Sequence, residues 1–382
     1  MKKRFLFVSG RLYPWDRGGS TLATYSLSSS ISAKGGFDVT LLGTVPPHEV
    51  GATENLRNGY LKIRPVRTPG KNNGLLDVVV SNLIYPFEAI HQRYDIVHFG
   101  ILPGLRAGGL ANLARWHNLP LVLSMYDFPP FEARSYSGTQ MGTLATFTHW
   151  TLSLPNIRPF DAIIVNCNFI RRAAVNAGIA EEKIHVLPLG INSSEFGLRS
   201  SEVVQDRYIL CFGPFFPKKG QHRLVSAYSK AESRHDTRLV LVGSDTPYRR
   251  MCVQLAKRLG IESNVHFQGA VPRRSLISMI RNATVCVFPS DYEGFGISIL
   301  ESMSCQRPVI ATKFGGPSEY ITDNVNGVLV DPYNEDILAN AIDRVCQNDE
   351  FREALACQAR KASLQYDWTV VSQRYLDLYD RL

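Results

Sequence analysis

The feature that most constrains the fold is a repeated alternation of short apolar runs with longer segments of helical length. In the first half of the chain, segments such as residues 20–34 and 103–117 separate these runs and are long enough to form crossover helices. The apolar runs themselves are RFLFVS, FDVTLLG, DIVHF, PLVLSM and DAIIVN. The alternation predicts an α/β fold in which helices cover a parallel sheet.

The same alternation starts again after a polar, turn-rich stretch, PLGINSSEFGLRSSEVVQDR. The second set of apolar runs is YILCFG, RLVLVG, NVHFQG, TVCVFP, RPVIAT and GVLV. A chain of 382 residues is also longer than one hydrophobic core usually serves. We therefore predict two doubly wound lobes, residues 1–195 and 196–365, with the boundary near residues 190–205.

The last segment, residues 366–382, has the apolar spacing of an amphipathic helix. Its large apolar side chains recur at three- and four-residue steps: Trp368, Val371, Tyr375, Leu376 and Tyr379. Such a face needs a surface to cover, so this helix is expected to pack on another part of the chain.

The chain is basic, with 42 Lys and Arg against 34 Asp and Glu, a net charge of +8. This charge suits phosphate-bearing ligands, anionic lipid or nucleic acid, and does not choose among them. Residues 51–120 include eight basic and four acidic residues. That excess indicates either an ordinary solvated face or attraction to an anionic membrane. The sequence contains no nucleic-acid-binding motif, so nucleic acid is not expected as a partner.

The cysteines and the N-terminus bear on location. The seven cysteines are widely spaced, with no Cys-x-x-Cys pair, which indicates neither a disulfide framework nor a zinc site. Cys211 and Cys286 lie in apolar runs and are expected in the core. The first apolar run is too short for a secretion signal, and no run reaches the length of a transmembrane helix. The expected location is cytoplasmic, either free or peripheral on the inner face of the membrane.

Two glycine-bearing loops precede helical segments, although the dinucleotide and P-loop fingerprints are both absent. One loop contains Gly18-Gly19, and the other is Glu293-Gly294-Phe295-Gly296. Glycine allows the backbone to approach a phosphate closely, and the amides at a helix N-terminus favour an anion. Plain turn glycines are the alternative, but two such loops on two lobes favour anion binding.

Glu293 lies in the second loop and Glu301 in the helix after it, with seven residues between them. The two carboxylates could face one cleft at different depths, one meeting a sugar and the other a nucleotide. Glutamates at this spacing also occur on solvated helices, which is the alternative interpretation.

The stretch FPSDYEGFGISILESMSCQRPVIATKFGGPSEYITDNVNGVLVDP resembles the donor-site signature of retaining glycosyltransferases of family 4, the glycosyl transferases group 1. The resemblance continues through YILCFGPFFPKKGQHRLVSAYSKA and NVHFQGAVPRRSLISMIRNATVCVFPS, whereas the first lobe matches only in outline. It implies the GT-B fold, with two Rossmann-like lobes facing across a cleft. The first lobe would bind the acceptor and the second the nucleotide sugar, and the terminal helix would cross back to the first lobe.

The resemblance also assigns residues. Glu293 would contact the donor sugar, and Lys219 would lie against the diphosphate and stabilise the charge on the leaving nucleotide, so these two are the expected catalytic residues. Glu301 would accept hydrogen bonds from the ribose hydroxyls. The other expected donor-binding residues are Gly294, Phe295, Gly296, Gly18 and Gly19.

Two positions depart from the family pattern. Pro214 stands where an arginine usually contacts the diphosphate, and Lys218 or Arg223 could substitute for it. Tyr126 stands where many members have a histidine near the reacting sugar. It could either hydrogen-bond to substrate or pack at a strand end. His98 and His149 lie beside apolar runs and are interpreted as structural.

No metal or cofactor is expected. The acidic pair in Asp291-Tyr292-Glu293 is a poor basis for a magnesium site, and the resemblance implies that amides and cations neutralise the leaving group.

The predicted function is retaining, front-face transfer of a hexose-like sugar from a nucleotide sugar to a saccharide or lipid-linked acceptor in cell-envelope polysaccharide synthesis. One alternative is a weak or inactive GT-B protein that serves as a nucleotide-sugar-binding or assembly partner, which Pro214 and Tyr126 favour. Another is a different GT-B enzyme, such as an epimerase or an inverting transferase, which the Glu293 and Glu301 signature disfavours.

Overall fold

The computed structural model describes residues 2–12, 19–45, 57–58, 61–67, 93–100, 118–126, 157–197 and 207–382. The chain forms two compact units: the first is Met1–Gly190 with Trp368–Leu382, and the second is Ile191–Asp367. The first unit thus ends a few residues before position 195, and the chain returns to it at Trp368 rather than at residue 366.

The first unit is built on a sheet with the strand order β3-β4-β2-β1-β5-β6-β7-β8. Neighbouring strands are parallel except for the β3 and β4 pair. The strands are β1 Lys3–Arg11, β2 Phe37–Val45, β3 Arg57–Asn58, β4 Leu61–Arg67, β5 Ile96–Phe99, β6 Leu121–Met125, β7 Ala162–Val165 and β8 Ile184–Val186. Helix α1 (Gly19–Ala33) follows β1, and α2 (Asn168–Asn176) follows β7.

The five apolar runs of the first half form β1, β2, β5, β6 and β7. The sequence did not predict β3, β4 and β8, which lie at the two sides of the sheet. These outer strands are short or carry charged residues, so their apolar signal is weak. The helix predicted at residues 103–117 lies outside the described residues.

The second unit contains a six-stranded, fully parallel sheet with the order β11-β10-β9-β12-β13-β14. Its strands are β9 Tyr208–Phe212, β10 Arg238–Val242, β11 Val265–Gln268, β12 Val285–Phe288, β13 Val309–Thr312 and β14 Val328–Val330. Its helices are α3 Ser193–Phe196, α4 Gln221–Lys230, α5 Pro247–Arg258, α6 Arg273–Asn282, α7 Ile297–Ser304, α8 Pro317–Tyr320, α9 Glu335–Gln347 and α10 Asp349–Ser363. All six apolar runs of the second half form strands, which confirms the predicted α/β class.

The strand order of the second unit defines where a ligand can bind. From β9 the chain moves outward through β10 to β11, and it then returns to the other side of β9 to form β12, β13 and β14. Strands β9 and β12 are therefore neighbours whose following loops diverge. In open parallel sheets, the crevice beyond the carboxyl ends of such a strand pair is the usual ligand site.

The core of the second unit contains the cysteines predicted to be there. Cys211 in β9 and Cys286 in β12 are both buried. Burial raises the pKa of each thiol to about 12, because a thiolate would lose its hydration. Both are therefore uncharged core residues at neutral pH.

The terminal helix α11 (Trp368–Tyr379) belongs to the first unit, where it packs on α1. The Ser30 hydroxyl lies 3.0 Å from the carbonyl oxygen of Trp368 and 3.0 Å from the hydroxyl of Ser372. All five residues of the predicted apolar face are buried: Trp368, Val371, Tyr375, Leu376 and Tyr379. Among the described residues, no helix is both long enough and apolar enough to cross a bilayer.

Candidate active site

Two loops of the second unit meet at the carboxyl ends of β9 and β12. The amide of Asp291, after β12, donates to the carbonyl of Lys218, after β9, over 2.8 Å. Gly220 has a φ of +67°, and a Cβ atom there would lie 2.0 Å from the carbonyl oxygen of Pro289. Only glycine therefore allows these backbones to come so close.

This approach brings together the two expected catalytic residues. The Lys219 ammonium group donates to both carboxylate oxygens of Glu293, over 2.8 and 2.9 Å. The Ser290 hydroxyl donates to the same carboxylate over 2.6 Å. Glu293 is 8% exposed, so its charge is buried but paired and hydrogen-bonded.

The pKa of Glu293 reflects opposing influences. Burial alone would raise it, because the carboxylate loses hydration. The charges of Lys219 and Lys218 and the hydrogen bonds from Lys219 and Ser290 outweigh burial, so the pKa lies below its ordinary value. Glu293 is therefore an ionised hydrogen-bond acceptor at neutral pH.

The backbone of Glu293 is held by the backbone of residues 314–316. The Glu293 amide donates to the Phe314 carbonyl over 3.2 Å, and the Glu293 carbonyl accepts from the Gly316 amide over 2.9 Å. Gly315 has a φ of +93°, and a Cβ there would lie 2.1 Å from the Glu293 carbonyl oxygen. The position of Glu293 thus depends on a second glycine at a close backbone approach.

The residues Gly294, Phe295 and Gly296 lead directly into α7, which begins at Ile297. The hydroxyl of Tyr320 donates to the carbonyl of Phe295 over 2.8 Å. The carbonyl and the following N–H of one trans peptide unit point in opposite directions. Tyr320 therefore orients the Gly296 amide away from itself, at the helix N-terminus, where amides favour an anion.

Glu301 lies within α7 and has partners of its own. Nη1 of Arg273 donates to Glu301 Oε1 over 2.8 Å, and the same guanidinium donates to Glu195 Oε2 from Nε over 3.1 Å and from Nη2 over 2.9 Å. Glu301 is 5% exposed. Burial raises its pKa and Glu195 adds to this, while Arg273 opposes them only in part.

The two cations suggested as substitutes for the missing arginine have other partners. Arg223 forms an ion pair with Asp291, and its guanidinium lies 4.8 Å from the centre of the Tyr333 ring. Lys218 is 5% exposed, and its ammonium lies 3.9 Å from the centre of the Tyr292 ring. Lys218 still contributes positive charge near Glu293, since it lowers the pKa of that carboxyl.

The candidates in the first unit are arranged around α1. Gly18 lies outside the described residues, and Gly19 is the first residue of α1. The Thr24 hydroxyl donates to the Ser20 carbonyl over 2.9 Å, so it accepts from the Tyr126 hydroxyl, 2.9 Å away. Burial raises the pKa of Tyr126 to about 12. Tyr126 is thus an uncharged hydrogen-bonding residue at the end of β6, tied to the first turns of α1.

The interpretation of the histidines as structural is supported for His98, which the structure describes. His98 is buried, and its ring nitrogens contact the hydroxyls of Ser124, at 2.8 Å, and Tyr379. Burial lowers the pKa of His98 to about 3. It is therefore a neutral, satisfied core residue, while His149 lies outside the described residues.

Sequence reasoning missed three contributors to the site: Ser290, Arg273 and Glu195. Ser290 and Arg273 lie in stretches that resemble the family, FPSDYEG and VPRRSL, yet nothing in those letters pairs them with a glutamate. Glu195 is far from both along the chain, and only the fold brings it to Arg273.

Two glycosyltransferase families together match most of the chain. The family Glycosyl transferases group 1 matches residues 198–362, and Glycosyltransferase Family 4 matches residues 17–195. The chain belongs to the group 1 glycosyltransferases, with the GT-B fold. Membership accounts for the two α/β units and supports glycosyl transfer as the activity of this chain.

Individual glycosyltransferases agree with this assignment. An uncharacterized glycosyltransferase of Methanocaldococcus jannaschii is 35% identical over 212 residues, which cover 52% of this chain and 54% of that protein. The D-inositol 3-phosphate glycosyltransferase of Xylanimonas cellulosilytica is 28% identical over 95% of this chain and 92% of its own length. The Anabaena protein HepE, solved with UDP and glucose, has the same fold, with a TM-score of 0.80, 20% identity and full coverage of both chains.

Proposed function

We propose that this glycosyltransferase takes a hexose-like sugar from a nucleotide sugar and transfers it, with retention of configuration, to a saccharide or lipid-linked acceptor. The second unit would bind the donor and the first the acceptor. The observation that carries the proposal is the Lys219 and Glu293 pair beyond the carboxyl ends of β9 and β12.

The chemistry of this pair suits a departing nucleoside diphosphate. An ammonium group there can stabilise the negative charge that develops on the leaving oxygen, and an ionised carboxylate can accept hydrogen bonds from sugar hydroxyls. The oriented amide of Gly296 adds positive potential at the start of α7. Glu301 would accept hydrogen bonds from the ribose, and no bound metal is required by this arrangement.

Retention would follow a front-face route. The departing phosphate assists deprotonation of the acceptor hydroxyl, which attacks the same face of the sugar, and positioning supplies much of the rate. The proposal includes no covalent intermediate, because Glu293 is held by Lys219 and Ser290 as a hydrogen-bond acceptor.

The acceptor class is inferred from the distribution of charge along the chain. A lipid-linked saccharide of a cell-envelope polymer, used at the inner membrane face, is consistent with the excess of basic residues in positions 51–120. Part of this charge is compensated, since Lys62 pairs with Asp38 at 2.7 Å. The relative from Xylanimonas cellulosilytica acts, by its name, on D-inositol 3-phosphate, so a phosphorylated polyol is also a suitable acceptor to test.

A second candidate function is a nucleotide-sugar-binding partner with little or no turnover. The pairing of Arg223 with Asp291 favours it, because this cation is engaged where the family arginine is replaced by Pro214. Loss of one charged contact to a developing oxyanion costs about 3 kcal/mol of barrier.

A transfer assay tests the proposal. The protein is incubated with UDP-, GDP-, ADP- or dTDP-α-hexoses and with D-inositol 3-phosphate or a membrane lipid extract in anionic or neutral vesicles. Release of nucleoside diphosphate reports turnover, and the proton NMR coupling of the new anomeric centre reports configuration. We expect an α product, and Glu293→Gln should lower the rate by about 100-fold or more, because it weakens both the ion pair and the sugar contact.

Glu262→Gln, at an exposed glutamate of the same unit, is the matched control and should leave the rate unchanged. A β product would contradict retention. Donor binding without release of diphosphate would replace the proposal with the second candidate.

A further inference from the structure

The Arg273 guanidinium is held on three sides by residues from two other elements. It is the first residue of α6, and it donates through Nη1 to Glu301 on α7 and through Nε and Nη2 to Glu195 on α3. Its central carbon lies 5.2 Å from the centre of the Phe196 ring. The orientation of the guanidinium is therefore fixed by both its edges and its face.

This geometry requires arginine. A guanidinium is a planar fork that can bind two carboxylates in fixed directions while it stacks on an aromatic ring, whereas a lysine ammonium is a point charge on a flexible stem. Because the guanidinium is anchored by Glu195 and Phe196, its remaining edge fixes where the Glu301 carboxylate lies.

Only one oxygen of Glu301 is used in this way. Arg273 donates to Oε1, and in the ranges that the structure describes, no hydrogen bond to Oε2 is found. A carboxylate anchored through one oxygen presents the other in a set direction. Two neighbouring hydroxyl groups are a ligand that such an acceptor can recognise.

We propose that Arg273, anchored by Glu195, is the positioning residue that sets Glu301 to recognise the vicinal ribose hydroxyls of the nucleotide. The inference rests on the proposed donor site and adds to it a residue that does not itself contact the nucleotide. Arg273 selects a ribonucleotide over one that lacks these hydroxyls, through the orientation and charge of Glu301.

Electrostatics supports this role. Arg273 contacts the Glu301 carboxyl, and Glu195 and the thiol of Cys305 interact with it electrostatically. Burial and Glu195 raise the pKa of Glu301, and Arg273 is the cation that opposes them. Without Arg273, protonation of Glu301 would be easier, and a protonated carboxyl is a weaker acceptor for hydroxyl groups.

The test compares nucleotides with and without the hydroxyls. Isothermal titration measures the binding of UDP, GDP and ADP and of their 2′,3′-dideoxy forms to wild type and to Arg273→Ala. We expect wild type to prefer the tightest-binding ribonucleotide over its dideoxy form by about tenfold or more. In Arg273→Ala this preference should fall close to one, while binding of the dideoxy form stays unchanged.

Two further variants make the result specific. Arg273→Lys keeps the positive charge but loses the planar, forked donor geometry. Its ratio of ribonucleotide affinity to dideoxynucleotide affinity should fall below the square root of the wild-type ratio. Arg274→Ala, at the exposed neighbouring position, should retain the full preference. An undiminished preference in both Arg273 variants would overturn the inference and leave the donor site intact. Absence of any preference in wild type would instead contradict the Glu301 assignment in the proposed function.

Discussion

At the level of single residues, the site combines two buried glutamates whose pKa values are shifted in opposite directions. The pKa of Glu293 is lowered, because Lys219, Lys218 and Ser290 outweigh burial, whereas the pKa of Glu301 is raised, because Arg273 does not fully offset burial. At neutral pH the first carboxylate therefore adds to folding stability, while the second reduces it. An unfavourable charge of this kind is expected where binding, rather than folding, requires the group.

The Lys219 and Glu293 pair leads to a pH-dependent stability prediction. A carboxyl with a lowered folded pKa stabilises above its unfolded pKa, and this stability is lost as the pH falls through the folded pKa. In Lys219→Met, burial, Lys218 and Ser290 remain but the main cation is gone, so the pKa of Glu293 should rise. The stability deficit of the variant relative to wild type should then grow as the pH rises, to about 1–3 kcal/mol at neutral pH.

Urea unfolding of both proteins at about pH 4 and about pH 7.5 measures this difference. The deficit of Lys219→Met should be small at the lower pH and large at the higher one. Lys257→Met, at an exposed lysine on α5, serves as the control and should show no such growth. An equal deficit at both pH values would mean that the lysine stabilises through packing rather than through its charge.

At the scale of elements, the site depends on loops that pack backbone against backbone. Gly315 has a φ of +93° and a Cβ there would meet the Glu293 carbonyl oxygen, while Gly260 has a φ of +66° with no atom within 4 Å of the same position. The two glycines therefore share an unusual backbone conformation and differ in whether there is space for a side chain.

Alanine at these two positions separates backbone conformation from close approach. Gly260→Ala should cost about 1 kcal/mol, since it pays only for the left-handed conformation. Gly315→Ala should cost about 3 kcal/mol or more, because a clash with backbone adds to that cost. It should also lower transfer activity by moving Glu293. Thermal unfolding and the transfer assay measure both effects, and equal losses in the two variants would contradict the close approach.

The elements were largely predictable, but the contacts between them were not. Apolar runs such as TVCVFP mark buried strands, and the helix expected after the loop that ends at Gly296 is α7. The spacing of Glu293 and Glu301 says nothing of Lys219 or Arg273, since those pairs form only when loops after different strands converge. Charge pairs between distant segments have no periodic signature, which is why sequence reasoning found the carboxylates but missed Arg273 and Glu195.

At the scale of the whole molecule, the chain forms one unit, builds the second, and then returns to the first with α11. The donor-site candidates Glu293, Lys219 and Glu301 all lie in the second unit, whereas Gly19 and Tyr126 lie in the first. The second unit was also the part with the more continuous family resemblance, and the pattern there was specific enough to name residues. In the first unit the sequence predicted the sheet but not its outer strands.

A thermal-shift screen against UDP-, GDP-, ADP- and dTDP-sugars tests whether the second unit binds a nucleotide sugar through these residues. Wild type is compared with Glu301→Ala and with Glu262→Ala as the exposed control. A donor at 100 times its dissociation constant stabilises the folded state by about 2.7 kcal/mol. We expect one nucleotide sugar to raise the melting temperature of wild type and Glu262→Ala, and to have little effect on Glu301→Ala. An equal shift in all three proteins, or no shift in wild type, would contradict a donor site centred on these residues.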